Sequence, residues 1–220
     1  MAVALDNDIL QKLCAYGLID DLRAILASGG PINILGAAPF IVRKKLQRLE
    51  VARIRELQDA FEEFLGDLFL VEPTDEELAF ATHLEEIANR EFLGFDAGES
   101  QLCAVAIFRG LDAVITGDKR AITAVEALKR VIDRLSALEE KLVCLEQLIL
   151  GVIEKAGCRK VRTSVCALKT VDTALSICLK CWSPEEPRRE AVKEALESYI
   201  GDLRKNAPSL LYAGSAYPSF

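Results

Sequence analysis

Residues 111–122 read LDAVITGDKRAI, and the reading of this stretch decides the fold. Ala113, Val114, Ile115 and Thr116 form a β-branched apolar run bounded by Gly110 and Gly117, the pattern of a strand buried on both faces. One glycine later Asp118 is followed by a helical pattern that runs from about 119 to 137.

The alternation continues on either side. VALD (3–6) reads as a short strand ending at Asp6, followed by a helix over NDILQKLCAYGLIDDLRAIL (7–26) that ASGGP (27–31) stops. INIL (32–35) is a second strand. A helix from Phe40 to about Leu65 follows, basic in its first half and acidic in its second, and LFLVEP (68–73) is a third strand closed by Pro73. TDEELAFATHLEEIAN (74–89) starts with Thr74 and Glu77 at capping-box spacing and continues as an amphipathic helix. Another helix spans about 98–109, ahead of the run that opened this section, and KLVCLE (141–146) is a fifth strand candidate that passes into a helical QLILGVIEKAG (147–157).

Strands alternating with helices over residues 1–145 predict an α/β domain with a parallel sheet of four to five strands covered on both faces. Residues 146–205 read as a helical extension packing on it, and 206–220 as an irregular, loosely held tail. In such sheets ligands sit beyond the carboxyl ends of the strands. Asp6 closes the first strand and Asp118 follows the fourth, so both carboxylates fall on that edge.

Composition narrows the function classes. With 220 residues the chain can bury a core unaided, and its 51% hydrophobic content excludes a disordered or collagen-like class. The longest apolar runs are interrupted by charge, which argues against a membrane span, and MAVALDNDIL (1–10) lacks the basic region of a secretory signal. A cytosolic, cytoplasmic protein is expected. Seven cysteines, an odd number among apolar neighbours, argue against a disulfide framework, and the Cys178/Cys181 CxxC lacks the partners of a zinc site. Cys158, Cys166 and Cys178, with Leu168, Val171 and Leu175, line either a homodimer interface or a covered face of the core.

The net charge of −7 disfavours general binding to polyanions, so nucleic-acid contact needs local basic patches. RKKLQRLEVARIR (43–55) supplies one in what reads as a continuous helix, with Arg43, Lys44 and Lys45 leading it; a solvated helix face is its other reading. Lys119 and Arg120 follow Asp118 directly and are candidates for the phosphate backbone, although Lys119 serves equally well as partner to a nearby carboxylate. GFDAGESQLCAVA (94–106) holds two more acids. Asp96 and Glu99 have capping-box spacing, so they either start a helix or also contribute to an acidic site.

ALDNDIL (4–10), DAGESQLCAVAIFRG (96–110) and LDAVITGDKRAI (111–122), in this order and at these distances, resemble the corresponding stretches of the PIN-domain superfamily, over about residues 3–145. The resemblance implies a three-layer α/β/α fold and a metal-dependent ribonuclease that hydrolyses RNA, single-stranded or structured, with Mg²⁺ or Mn²⁺. It maps the catalytic and metal-ligating acids onto Asp6, Glu99 and Asp118, with Asp96 and Asp8 as further candidate ligands. In one respect the chain departs from the family pattern. Where active members carry an acid on the helix after the second strand, Arg43, Lys44 and Lys45 stand instead. The other reading is therefore a catalytically inactive PIN-like scaffold that binds nucleic acid or protein.

Overall fold

The computed structural model describes residues 1–27 and 29–217; Ser28 of the expected helix stop and residues 218–220 of the tail lie outside the described residues. Five parallel strands, β1 Val3–Leu5, β2 Ile32–Leu35, β3 Leu68–Val71, β4 Ala113–Thr116 and β5 Leu142–Cys144, form one sheet in the order β3-β2-β1-β4-β5. The fold is α/β with helices on both faces, as the alternation of elements predicts. β1, β4 and β5 are buried throughout, because helices cover them on both sides.

From β1 the chain winds outward through β2 to β3, then crosses back to β4 and continues to β5. Right-handed crossovers put the helices of these two halves on opposite faces. α1 Asn7–Tyr16, α2 Ile19–Leu26, α3 Ala38–Leu46 and α4 Ile54–Leu65 pack together on one face, where α8 Leu145–Ala156 joins them against α2. α5 Asp75–Arg90, α6 Ala97–Phe108 and α7 Lys119–Leu128 occupy the other. The connections leaving β1 and β4 run in opposite directions, which opens a crevice beyond the carboxyl ends of these two neighbours.

Three helices expected to be continuous are broken. The first divides at Gly17, whose φ of 69° closes α1 while Leu18 N–H returns to the Leu13 carbonyl at 2.8 Å. The basic helix ends at Leu46 and restarts at Ile54. A single helix over 40–65 would be about 39 Å long. Divided, both halves reach α1, and Arg43 ties them by two bonds to Glu62, at 2.6 and 2.7 Å. The helix over 119–137 ends at Leu128, and Ile132, Leu135 and Leu138 are then buried at the three-residue period of a 3₁₀ turn that spans Asp133–Leu138.

The C-terminal helices α9 Cys158–Ala167, α10 Thr173–Cys178 and α11 Arg189–Asn206 share one continuous core with the sheet. Leu175 and Cys178 are buried, and Cys158, Cys166, Leu168 and Val171 pack against that core. Cys166 is disulfide-bonded to Cys181, Cα to Cα 4.9 Å, where the end of α9 meets the turn after α10; it is a single bridge, with the other five cysteines free, and not a disulfide framework. The tail differs from expectation. Leu142 N–H donates to the Leu210 carbonyl at 2.9 Å, Tyr212 N–H donates to the Leu142 carbonyl at 2.7 Å, and Tyr217 is buried. Residues 207–217 thus cover the open edge of β5, which would otherwise present unpaired backbone groups. Among the described residues no helix is long and apolar enough to cross a membrane.

Candidate active site

The crevice between the ends of β1 and β4 is a pocket of about 510 Å³. Asp6, Asp8, Asp96, Glu99 and Asp118 all line it, so the five acids singled out in the sequence are brought to one place. Lys12, Lys45 and Arg120 supply its positive charge, and Ile41 lies in the same wall.

Asp6 stands at the N-cap position of α1, yet its carboxylate makes no capping hydrogen bond. Oδ2 instead accepts from the Thr116 hydroxyl at 2.8 Å, and the Thr116 oxygen accepts from Asp118 N–H at 3.2 Å. Buried Thr116 therefore sets the ends of two neighbouring strands against each other. Burial pushes the Asp6 carboxyl up to about 6, with the charge of Asp8 adding to the effect and the Thr116 hydroxyl opposing it.

Asp96 and Glu99 form the expected capping box at the start of α6. Glu99 N–H donates to Asp96 Oδ1 at 2.9 Å, and Asp96 N–H donates to Glu99 Oε2 at 2.8 Å. Glu99 also backs onto an apolar wall of Phe95, Leu102 and Cys103 that it shares with Asp6. Burial, reinforced by the charges of Asp96, Asp118 and Asp6, pushes its carboxyl up to about 8 against the opposing backbone hydrogen bond. The box and the site are thus the same residues.

Asp118 caps α7, accepting from the N–H of Arg120 at 2.8 Å, and the Arg120 guanidinium closes on it at 2.7 and 3.2 Å. Burial acts to raise this carboxyl, and the guanidinium and backbone donors outweigh it, so the group is held below the usual aspartate range. Asp8 pairs with Lys12 at 2.6 Å, and Lys12 in turn meets Asp172 at 2.8 Å. Gly117 makes room for this arrangement, since a Cβ there would fall 2.1 Å from Asp8 Oδ2.

The basic candidates separate. Arg120 and Lys45 line the pocket, and Lys45 has no ion-pair partner among the described residues. Arg43 is engaged with Glu62, and Lys44 is exposed outside the lining. Lys119 turns from the pocket to an ion pair with buried Glu146. Of Arg43, Lys44 and Lys45, which stand where the resemblance would place an acid after the second strand, Lys45 lines the pocket. Lys12, Thr116 and Asp172 escaped the sequence reading; the spacing of four between Asp8 and Lys12 was the available signal for one of them.

Among the described residues, no three His, Cys, Asp or Glu side chains are grouped so as to hold a metal ion. Arg120 occupies Asp118, and Lys12 occupies Asp8. The donor set is nevertheless all oxygen, and burial, with neighbouring carboxylates adding to it, raises the proton affinity of Asp6 and Glu99. Mg²⁺ needs only one or two carboxylates when phosphate oxygens and water complete its shell, so this pair fits such an ion in chemistry. No family model, no curated protein and no solved structure matches the chain.

Proposed function

We propose that the protein is a PIN-like, metal-dependent endoribonuclease whose active site is the pocket between β1 and β4. The observation that carries the reading is the convergence of Asp6, Glu99 and Asp118, from three separate elements, on the point where the sheet reverses its winding. Asp6 and Glu99 would hold Mg²⁺ or Mn²⁺. Such an ion lowers the pKa of a bound water, holds a phosphate oxygen and offsets charge on the leaving oxygen.

The chain's own groups do the rest. Arg120, with an exposed side chain, and Lys45 receive the phosphates of the RNA strand. A phosphate on Arg120 competes with Asp118 for the guanidinium and releases that carboxylate to the site. Ion binding would displace the proton that burial favours on Asp6 and Glu99, so uptake of the ion should strengthen as pH rises. A cytoplasmic setting, with RNA at hand and most cysteines as free thiols, belongs to the same proposal.

The test is cleavage of an end-labelled single-stranded RNA with Mg²⁺ or Mn²⁺ present. Asp118→Asn should lower the rate by at least about 100-fold, beyond the 10–100-fold typical of groups that only support a ligand. An equal rate in EDTA, or in Asp118→Asn, would sink the reading. One observation favours the second reading, a scaffold that binds without cleaving: Arg43, Lys44 and Lys45 stand on α3 where the resembled family carries an acid, and Lys45 lines the pocket. Calorimetric titration decides between the two, since the scaffold takes up neither Mg²⁺ nor Mn²⁺ at millimolar concentration.

A further inference from the structure

Next to the acid pocket lies a second one of about 440 Å³, and Arg120 lines both. Phe92, Tyr199 and Lys119 are among its walls. Tyr199, on α11, is fixed by the Lys119 ammonium, 4.5 Å from the ring centroid, and Lys119 is itself anchored on Glu146. Asp202 also lines the pocket, with its charge offset by Lys205 at 2.9 Å.

Phe92 has no explanation within the fold. It is the residue after the cap of α5, where Leu93 N–H returns to the Ala88 carbonyl at 2.8 Å, a helix ending that favours glycine. Its φ of 56° lies in the left-handed region, and as a residue 96% exposed it adds nothing to the core. A residue that strains the backbone and gains no burial points to a use at the surface. Aromatic faces next to a guanidinium are what a single strand requires, since a base stacks on the ring while the adjoining phosphate meets the cation.

We propose that this second pocket is a nucleobase subsite for single-stranded RNA, with Phe92 as the stacking ring and Arg120 as the contact to the phosphate between the two pockets. The proposal rests on the RNA-cleaving reading of the acid pocket. It requires unpaired bases, because a duplex keeps its base faces within its own stack.

The experiment is fluorescence anisotropy of a short labelled single-stranded RNA with the full chain in EDTA, so that binding is read without cleavage. Phe92→Gly should weaken binding about tenfold, and Phe92→Trp, which keeps an aromatic face, should bind as the parent does. The thermal midpoint of Phe92→Gly should equal or exceed that of the parent, since glycine accepts the left-handed backbone, which separates a lost contact from a lost fold. Equal binding by Phe92→Gly, or tighter binding of the duplex than of the single strand, overturns the subsite and leaves the cleavage reading standing. A parent chain that does not bind the RNA in EDTA likewise overturns the subsite, and the cleavage reading stands or falls by its own assay.

Discussion

Glu99 has two duties that pull its protonation in opposite directions. As the return acceptor of the capping box it favours the ionised form, while burial and the charges of Asp96, Asp118 and Asp6 favour the neutral one and prevail, to about 8. In the unfolded chain the same carboxyl titrates near 4.5. Between these values the folded chain keeps a proton that the unfolded chain releases, so this residue's contribution to stability is greatest at the acid end and declines as pH rises towards 8. Asp6 adds the same sign over a narrower window, from about 4 to about 6. Each pH unit of such a window is worth up to about 1.4 kcal/mol, and solvent screening of a partly exposed group reduces the total for Glu99 to roughly 2 kcal/mol. Glu99→Gln keeps an acceptor for the capping box and removes the titration. In EDTA its thermal midpoint should exceed the parent's at pH 8 and match it at pH 5. A gap of the same size at both pH values would mean that Glu99 is ionised throughout.

Elements were legible in the sequence wherever their causes are local. Four of the strands are short apolar runs closed by Asp6, Gly36, Pro73 after Glu72, or Gly117, and the two capping boxes, Thr74 with Glu77 and Asp96 with Glu99, show in their spacing. The break at Gly17 has a local cause, a left-handed glycine, whereas the one at 47–53 leaves no local sign, because it is fixed by packing on α1 and by the Arg43–Glu62 bonds across the resulting hairpin. The same holds for the site: Asp6, Glu99 and Asp118 were readable as residues at element ends, whereas Thr116 and Lys12 act through partners 110 and 160 positions away. The tail is irregular, as its lack of periodicity suggests, but it is not loosely held. Its order comes from backbone bonds to β5 and from Gln147, whose amide donates to the carbonyls of Tyr212 and Gly214 at 2.8 and 2.6 Å, and none of these leaves a periodic pattern. A chain ending at Asn206 would lose the buried Leu210, Leu211 and Tyr217, at about 1.5–3 kcal/mol each. At about 2–4 °C per kcal/mol its thermal midpoint should fall by at least about 10 °C. Sedimentation should also show larger species once the β5 edge is open. An unchanged midpoint would mean that these residues cover nothing of consequence.

At the scale of the whole molecule, the helices beyond β5 are not an appendage to the pocket, because one ammonium joins them to it. Lys12 rises from α1 beneath the acids, and its Nζ lies between Asp8 at 2.6 Å and Asp172 at 2.8 Å, with both lysine and Asp172 side chains only 13% exposed. Asp172 also caps α10, accepting from Leu175 N–H at 2.9 Å, so its position is set by the C-terminal helices. Burial acts to lower the Lys12 pKa, and the two carboxylates more than reverse it, which keeps the charge in place. A second tie, Lys160 to Asp21 at 2.7 Å, holds α9 to α2 on the same face. Removing one partner of a nearly buried pair leaves the other charge unmatched, at a cost of about 3–5 kcal/mol when burial is complete. Lys12 retains Asp8 after Asp172→Asn, so that loss should be nearer 2 kcal/mol. Lys12→Met strands both acids and should cost more. Once the ammonium is gone, Asp172 has less to lose, so the double variant should fall short of the sum of the single ones by at least about 1 kcal/mol. Urea unfolding of the parent, the two single variants and the double variant measures this coupling. Strict additivity would mean that the C-terminal helices and the pocket are held independently, and that the line from α10 through Lys12 to Asp8 carries no energy between them.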